Sequence, residues 1–272
     1  MARLTSFRGK GAVITGASSG IGKLLARRLA RAGMRVALVA RRESELHQLA
    51  DQIEQDGGRA VTLPCDVADR AAVFACAAQA VAALGSVDIL VNNAGYGHHR
   101  RFLEWDLDDM ERMLRVNFLG ALYWTKALLP HMVEHGKSWL VFVASVAGKL
   151  AVPEESAYVA SKFAMVGLAE TLSIELEDQG VHVLTVCPGT INTPFFDAEA
   201  LERMPPVSRR MMIEPDGVVE AVVDALRRGK REITVPRMIA AGYIARALAP
   251  EFMRRNTRRT TIDAVARRSG RR

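Results

Sequence analysis

Tyr158 and Lys162 stand four residues apart in Ser156-Ala-Tyr-Val-Ala-Ser-Lys162. On a helix that spacing puts both side chains on one face, one turn apart. A free tyrosine titrates near ~10 and is a poor acid or base at neutral pH. A lysine ammonium beside it favours the phenolate, and the expected effect is a lowered tyrosine pKa. The pair then serves as a proton donor and acceptor. The same pair also occurs on ordinary solvated helix faces, so the rest of the chain must decide between the two uses. The pattern predicts a helix over 156–177, with Gly180 as its stop signal.

The elements that must position this pair alternate along the chain. Apolar runs at 10–15, 34–40, 59–63, 88–91, 139–144, 181–186 and 232–235 read as seven strands. Helical patterns come after most of them, at 69–84, 107–134 and 215–228 among others. Strand and helix in alternation, with short connections, predict a doubly wound parallel sheet with helices on both faces. In such a sheet ligands lie beyond the carboxyl ends of the strands, and Gly16, Ala40, Asp66 and Asn92 all fall at such ends. Asn117, midway along the 107–134 pattern, is a weak helix former and needs either exposure or a polar site to explain it.

The first strand runs into Gly16-Ala-Ser-Ser-Gly20-Ile-Gly22 and then a helix reaching Ala32. Backbone without Cβ lets a pyrophosphate approach, and a helix N-terminus offers free N–H groups to it. The second strand ends at Ala40, where a site for NAD carries an acid to hold the ribose 2′-hydroxyl. Arg41 and Arg42 come next instead, and an arginine pair suits a 2′-phosphate. NADP(H) is therefore the expected cofactor, unless both arginines are merely surface residues at a helix start.

Composition bounds the rest. The chain has 272 residues, with 49% hydrophobic and 25% charged, which suits a globular protein with a sizeable core. Three cysteines, Cys65, Cys76 and Cys187, match no zinc spacing and form no even set for a disulfide framework. No metal site is expected, and a reducing, cytoplasmic compartment fits best. No apolar run reaches the ~18 residues needed to span a bilayer. The first ten residues carry no apolar signal core. Of the formal charge of +7, residues 251–272 hold +6, so the body is near neutral and the tail is basic. That distribution does not describe a nucleic-acid-binding core. It describes a tail that either touches an acidic surface or is simply solvated.

Taken together, T-G-A-S-S-G-I-G at 15–22, N-N-A-G at 92–95, Asn117, Ser145, Y-V-A-S-K at 158–162 and P-G-T-I-N-T at 188–193 resemble the short-chain dehydrogenase/reductase family, in its order of motifs. The resemblance is close over 10–193 and thins out afterwards. It implies a Rossmann-type sheet of seven strands, a nicotinamide cofactor, reversible carbonyl–alcohol chemistry on a small molecule, and assembly as a homodimer or homotetramer. It implies that Tyr158 is the general acid or base, that Lys162 also holds the nicotinamide ribose, and that Ser145 orients the carbonyl. Asn117 would hold a water linking Lys162 to solvent. For the cofactor, the resemblance implies Gly16, Ser18, Ser19, Gly20, Ile21 and Gly22 at the pyrophosphate and Arg41 with Arg42 at the 2′-phosphate. Asp66 and Val67 would meet the adenine, with Asn93, Ala94 and Gly95 as the wall beside it. Pro188, Gly189, Ile191 and Thr193 would form the carboxamide and phosphate clamp. The chain departs from several NADP-preferring relatives at Ser18–Ser19, where those carry a second basic residue.

The expected organisation is one domain over 1–250, with a variable substrate lid at 194–213, a helical extension near its end, and a basic tail at 251–272. Phe195, Phe196, Met204, Met211 and Met212 suggest an apolar substrate cavity of lipid, steroid or terpenoid kind, or else core. His98, His99, Arg100 and Arg101 lie near the mouth, facing a polar substrate end or solvent. The segment 238–249 is apolar except for Arg246; it either packs over the pocket or a subunit contact, or lies in a membrane interface with the tail. Two other classes stay open beside the enzyme: a non-catalytic NADP-binding sensor, and a protein associated peripherally with a membrane surface.

Overall fold

The computed structural model describes residues 3–195 and 198–264. Phe196 and residues 265–272, named above for the lid and the tail, lie outside them. The elements in order are β1 (Gly11–Thr15), α1 (Gly20–Arg31), β2 (Arg35–Ala40), α2 (Glu43–Gln55), β3 (Arg59–Pro64), α3 (Arg70–Leu84) and β4 (Ile89–Asn92). Next come α4 (Leu107–Leu114), α5 (Gly120–His135), β5 (Ser138–Val143), α6 (Ser156–Glu175) and β6 (Val181–Pro188). The chain continues with α7 (Ala198–Arg203), α8 (Pro206–Arg210), α9 (Pro215–Arg228), β7 (Glu232–Val235), α10 (Ala240–Leu248) and α11 (Pro250–Thr260).

All seven strands pair in parallel, in the order β3-β2-β1-β4-β5-β6-β7. The chain reverses its direction of winding between β1 and β4, so a crevice opens there beyond the strand ends. The central strands read as unbroken apolar runs because both of their faces are covered. Ala12, Ile14, Val36, Leu38, Ile89, Val91, Val141 and Val186 pack with Leu25 and Leu29 of α1, Leu46 and Leu49 of α2, and Val218 and Val222 of α9. The alternate residues Val13, Ala37, Val39, Leu90, Leu140 and Phe142 pack with Ala77 and Ala80 of α3, Trp124 and Leu128 of α5, and Met165 and Ala169 of α6. Period-two alternation thus feeds two separate apolar layers from one sheet.

The predicted helix over 107–134 is interrupted. Residues Arg115–Leu119 form a π-helical turn between α4 and α5, centred on Asn117. A π-turn inserts an extra residue and rotates the helix beyond it, which aims Asn117 inward rather than to solvent. Helix α6 ends two residues earlier than predicted, in a short 3-10 turn closed by Gly180 at φ +73. The segment between β6 and α9 returns to its own start: Ile191 bridges Ile213, and Asn192 N–H donates to the Ile213 carbonyl at 2.9 Å.

Candidate active site

A cleft of about 440 Å³ lies over the carboxyl ends of β1, β2, β4, β5 and β6. Its floor at one end is the turn from β1 into α1. Gly16 adopts φ +67, and a Cβ there would lie 2.9 Å from Ala94 Cα. A Cβ on Gly22 would lie 2.4 Å from the Gly16 carbonyl oxygen. Side chains would therefore force apart the β1 and β4 turns, and bare backbone is what lets a phosphate approach α1's N-terminus. Ser18, Ser19, Gly20 and Ile21 line the cleft; Gly22 lies behind it as a packing residue.

Thr15 holds this end together, and nothing in its residue type singled it out. Its buried hydroxyl donates to the Val91 carbonyl at 3.2 Å and accepts from Asn93 N–H at 2.9 Å and Ala94 N–H at 3.0 Å. Asn93 Nδ2 donates back to the Thr15 carbonyl at 2.9 Å. The two strand-end turns are thus one hydrogen-bonded unit. The available signal was a lone hydroxyl closing an apolar strand.

At the end of β2, Arg41 and Arg42 are exposed and line the cleft. Arg42 Nη2 donates to Ser18 Oγ at 2.8 Å, and its guanidinium lies 3.6 Å from Glu45. It spans from the second strand to the glycine turn. Asp66 accepts from Ala68 N–H at 3.0 Å and from Arg112 Nη2 at 2.7 Å. Burial works against the Asp66 carboxylate, but these donors outweigh it and hold its pKa below the usual range. Val67, Ala94 and Gly95 complete this wall, joined by Cys65, Tyr96 and Val116, which the sequence motifs did not mark.

The other end of the cleft holds Ser145, Tyr158 and Lys162. Ser145 lies just past β5, and its Oγ accepts from Ala147 N–H at 3.0 Å, capping the short turn Val146–Gly148. The same Oγ lies 3.4 Å from the Pro188 carbonyl. Lys162 is 3% exposed, and its Nζ donates to the Val143 carbonyl at 3.0 Å. Burial pulls its pKa down from the ordinary lysine value to about 8. Burial pushes the Tyr158 hydroxyl above its ordinary value, while a hydrogen bond with Ser145 pulls the other way. This corrects the expectation of a lowered tyrosine pKa: desolvation is the largest effect and raises it, with the Lys162 ammonium 5.6 Å from the ring centre.

Asn117 is fully buried and does not line the cleft. Its amide accepts from Tyr96 N–H at 3.0 Å and donates to the Tyr96 carbonyl at 2.9 Å and to Ser161 Oγ at 3.1 Å. A Cβ on Gly95 would lie 3.1 Å from Asn117 Oδ1 and 3.6 Å from Lys162 Nζ, so the two polar groups flank that glycine. Pro188, Gly189, Ile191 and Thr193 come from the end of β6 and the bridge beyond it, and all four line the cleft.

A smaller cavity of about 130 Å³ opens on the far side of Ser145 and Tyr158. Val146, Ala147, Val152, Phe195 and Met204 supply apolar wall. Met211 and Met212 line neither cavity. His98 and His99 line the smaller cavity, and His99 is buried with Nε2 2.9 Å from Glu155. Arg100 and Arg101 turn away from it to Asp109 at 3.3 Å and Glu154 at 3.5 Å. Among the described residues no group of three or more His, Cys, Asp or Glu is placed to hold a metal ion.

A glycine-floored crevice at the winding reversal of a parallel sheet, with Ser145, Tyr158 and Lys162 at one end, defines a doubly wound α/β protein of the dinucleotide-binding class. Residues 10–203 match the family model described as short chain dehydrogenase, and the chain belongs to the short-chain dehydrogenase/reductase family. That family places it among oxidoreductases that work with a nicotinamide cofactor. The chain is 33% identical over 232 residues to the ketoacyl reductase HetN of Nostoc sp. strain PCC 7120, covering 85% of this chain and 80% of HetN. A short chain dehydrogenase/reductase from Burkholderia phymatum, solved with NAD, superposes with a TM-score of 0.83 at 28% identity, over 92% of this chain and 96% of that one. A 7α-hydroxysteroid dehydrogenase, solved with NADH and 7-oxo glycochenodeoxycholic acid, gives 0.78 at 27% identity, over 85% and 94%.

Proposed function

We propose that the chain is an NADP(H)-dependent oxidoreductase that moves a hydride between the nicotinamide and the carbonyl or alcohol carbon of an apolar small molecule. The observation that carries this is the position of Ser145 and Tyr158, which belong to the walls of both cavities. A proton donor at that junction serves a cofactor on one side and a carbonyl on the other. When bound, the nicotinamide supplies or accepts the hydride. Tyr158 holds its proton through neutral pH and releases it to the carbonyl oxygen, leaving a phenolate; the reverse direction starts from that phenolate, which takes the alcohol proton. Ser145 orients that oxygen by hydrogen bonding. Lys162 places its charge beside the tyrosine and holds the nicotinamide ribose, and Asn117 fixes the backbone that carries Gly95 and Tyr96.

The glycine turn, the Asn93–Gly95 wall and the Pro188–Thr193 run would hold the cofactor. Arg41 and Arg42 support NADP, because the strand that precedes them ends in Ala40 and leaves no acid to repel a 2′-phosphate. The apolar lining by Phe195, Met204 and Val152 supports an apolar substrate, as do the ketoacyl and steroid chemistry in the names of the similar proteins. We take residues 1–250 as one oxidoreductase domain with a lid at 194–213 and a basic tail at 251–272, acting in the cytoplasm as a homodimer or homotetramer.

The test is consumption of NADPH and NADH by the purified chain against ketones and aldehydes graded from short and polar to long-chain and polycyclic. Turnover with NADPH, rising with apolar size, is the expected outcome. Tight NADPH binding with no turnover on any member would instead favour the sensor.

A further inference from the structure

We propose that the outer face of α10 and α11 is a docking surface for an anionic lipid layer. On α10, Ala241, Ile244 and Leu248 fall at helical spacings of three and four and share one face. Met238 precedes them by three residues, and Phe252 lies beyond Leu248 across the bend at Ala249. None of these side chains is covered: Met238 is 72% exposed, Ile244 64%, Leu248 81% and Phe252 66%. The inner face of α10 is what ties it to the body. Tyr243 Oη lies 3.3 Å from Thr234 Oγ1 and its ring faces Lys149, while the Arg246 guanidinium sits 5.0 Å from the centre of the Phe163 ring. Met238, Ile244 and Leu248 therefore do not fold over the pocket, while Ile239 packs against its rim. Four large apolar side chains this exposed and this close in sequence, one in the 3-10 turn Arg237–Ile239 and three on α10 and α11, mark an interaction surface rather than scattered surface residues.

Charge selects the occupant. Phe252, Arg255 and Arg259 share a face of α11, and Arg237 precedes Met238. These three arginines are exposed and form no ion pair among the described residues. Apolar side chains rimmed by arginine match the interface of an anionic bilayer, where the apolar groups enter the headgroup boundary and the guanidinium groups meet phosphates. A second copy of this chain across a two-fold axis would set the same arginines against one another, which disfavours that occupant. Among the described residues no helix is long and apolar enough to cross a membrane, so the contact is one of surface and not of span.

The placement also bears on the cleft. Ile239, at the start of this segment, packs so close to Gly189 that a Cβ there would lie 2.9 Å from Ile239 Cδ1, and Gly189 borders both cavities. Docking through α10 sets the rim of the cleft against the lipid, which suits a substrate drawn from a membrane. That consequence alone rests on the apolar substrate proposed above; docking itself does not.

The experiment is co-sedimentation of the full chain, without substrate or cofactor, with vesicles of equimolar phosphatidylglycerol and phosphatidylcholine, and with vesicles of phosphatidylcholine alone. The chain should bind the anionic vesicles at least about tenfold more tightly than the neutral ones. Raising salt from 0.1 to 1 M cuts the screening length from ~10 to ~3 Å and should weaken binding by a similar factor. Leu248→Glu with Phe252→Glu, and separately Arg255→Glu with Arg259→Glu, should each lower affinity about tenfold or more at an unchanged melting temperature. A wild type that stays in the supernatant overturns the proposal, as do variants that sediment as well as wild type. So does a result in which the variants abolish a concentration-dependent dimer in solution while lipid affinity is unaffected, because the face is then a subunit contact. None of these outcomes requires turnover, so a failure here is separable from a failure of the oxidoreductase assignment.

Discussion

The Lys162 ammonium lies 5.6 Å from the centre of the Tyr158 ring and donates its hydrogen bond to the Val143 carbonyl at 3.0 Å. Lysine and tyrosine are neighbours on α6, and the lysine's hydrogen bond ties it to the end of β5. Burial then governs both groups, in opposite directions: the tyrosine is held protonated and the lysine is brought toward neutrality at mildly alkaline pH.

Tyr158→Phe removes the hydroxyl and keeps the ring that packs edge-on against Phe195. Turnover should fall by ~10²–10⁴-fold, the range typical of general acid catalysis. NADPH affinity, followed by its fluorescence, should change little. Unaltered turnover would remove Tyr158 from the mechanism.

The pH dependence originates at Lys162. Its folded pKa of about 8 lies below the ordinary lysine value. The ammonium is therefore present below pH 8 and lost above it, while Tyr158 stays protonated across the same interval. In the reduction direction, kcat/KM for NADPH should be flat near neutrality and fall through pH 8. Conformational stability should move the other way. The folded chain sheds this proton before the unfolded chain does, so the penalty of a buried charge is full below pH 8 and disappears by about 10.5. Burial raises Cys65 and Cys187 to about 12, so above the ordinary thiol value of 9.0 their contribution to stability falls with pH and opposes that of Lys162. The pH–rate profile of wild type, and the difference in melting temperature between wild type and Lys162→Met between pH 7 and 9, check both signs; a rate that rises through pH 8 contradicts the assigned role of the ammonium.

Cofactor preference rests on the end of β2. A charge-assisted hydrogen bond contributes roughly 1.5–3 kcal/mol, so one or two arginine contacts to a 2′-phosphate imply about 10- to 10⁴-fold preference for NADPH over NADH. Ala40→Asp combined with Arg41→Ala should reverse the preference while leaving kcat with the favoured cofactor close to that of wild type. The comparison is kcat/KM for both cofactors in both proteins. A wild type that favours NADH would mean that Arg41 and the Ser18-bound Arg42 serve the surface alone.

Thr15→Val is nearly isosteric and tests the bracket between the strand-end turns. It leaves Asn93 N–H and Ala94 N–H without their acceptor, at a cost of about 1–3 kcal/mol each. The melting temperature should drop by several degrees and NADPH affinity should fall with it, because the glycine turn loses its support. Thr15→Ser keeps the oxygen and should recover most of both. A valine variant that binds NADPH as wild type does would show that the bracket is dispensable.

The seven strands were legible in the sequence because each is a short apolar run bounded by turn residues, and burial on both faces leaves such runs unbroken. The glycine turn, Asn93–Gly95, Ser145, Tyr158–Lys162 and Pro188–Thr193 were legible as types at spacings along the chain, and the fold brings them to one crevice. Tertiary structure alone decided what those residues touch. Asn117 reads as an ordinary helical asparagine until the π-turn aims its amide at Tyr96 and Ser161. Thr15 gains its place only when β1 and β4 lie side by side, 76 residues apart in sequence. The Tyr158 and Lys162 pKa values depend on how much protein surrounds each group, a quantity that residue spacing does not contain. The stretch 238–249 is equally apolar whether it faces inward or outward; only the anchoring of Tyr243 and Arg246 on the body turns Ile244 and Leu248 to the outside. Local sequence carries periodicity and turn chemistry, which act between near neighbours. Burial and partnership are set by distant segments, and those exist only once the chain has folded.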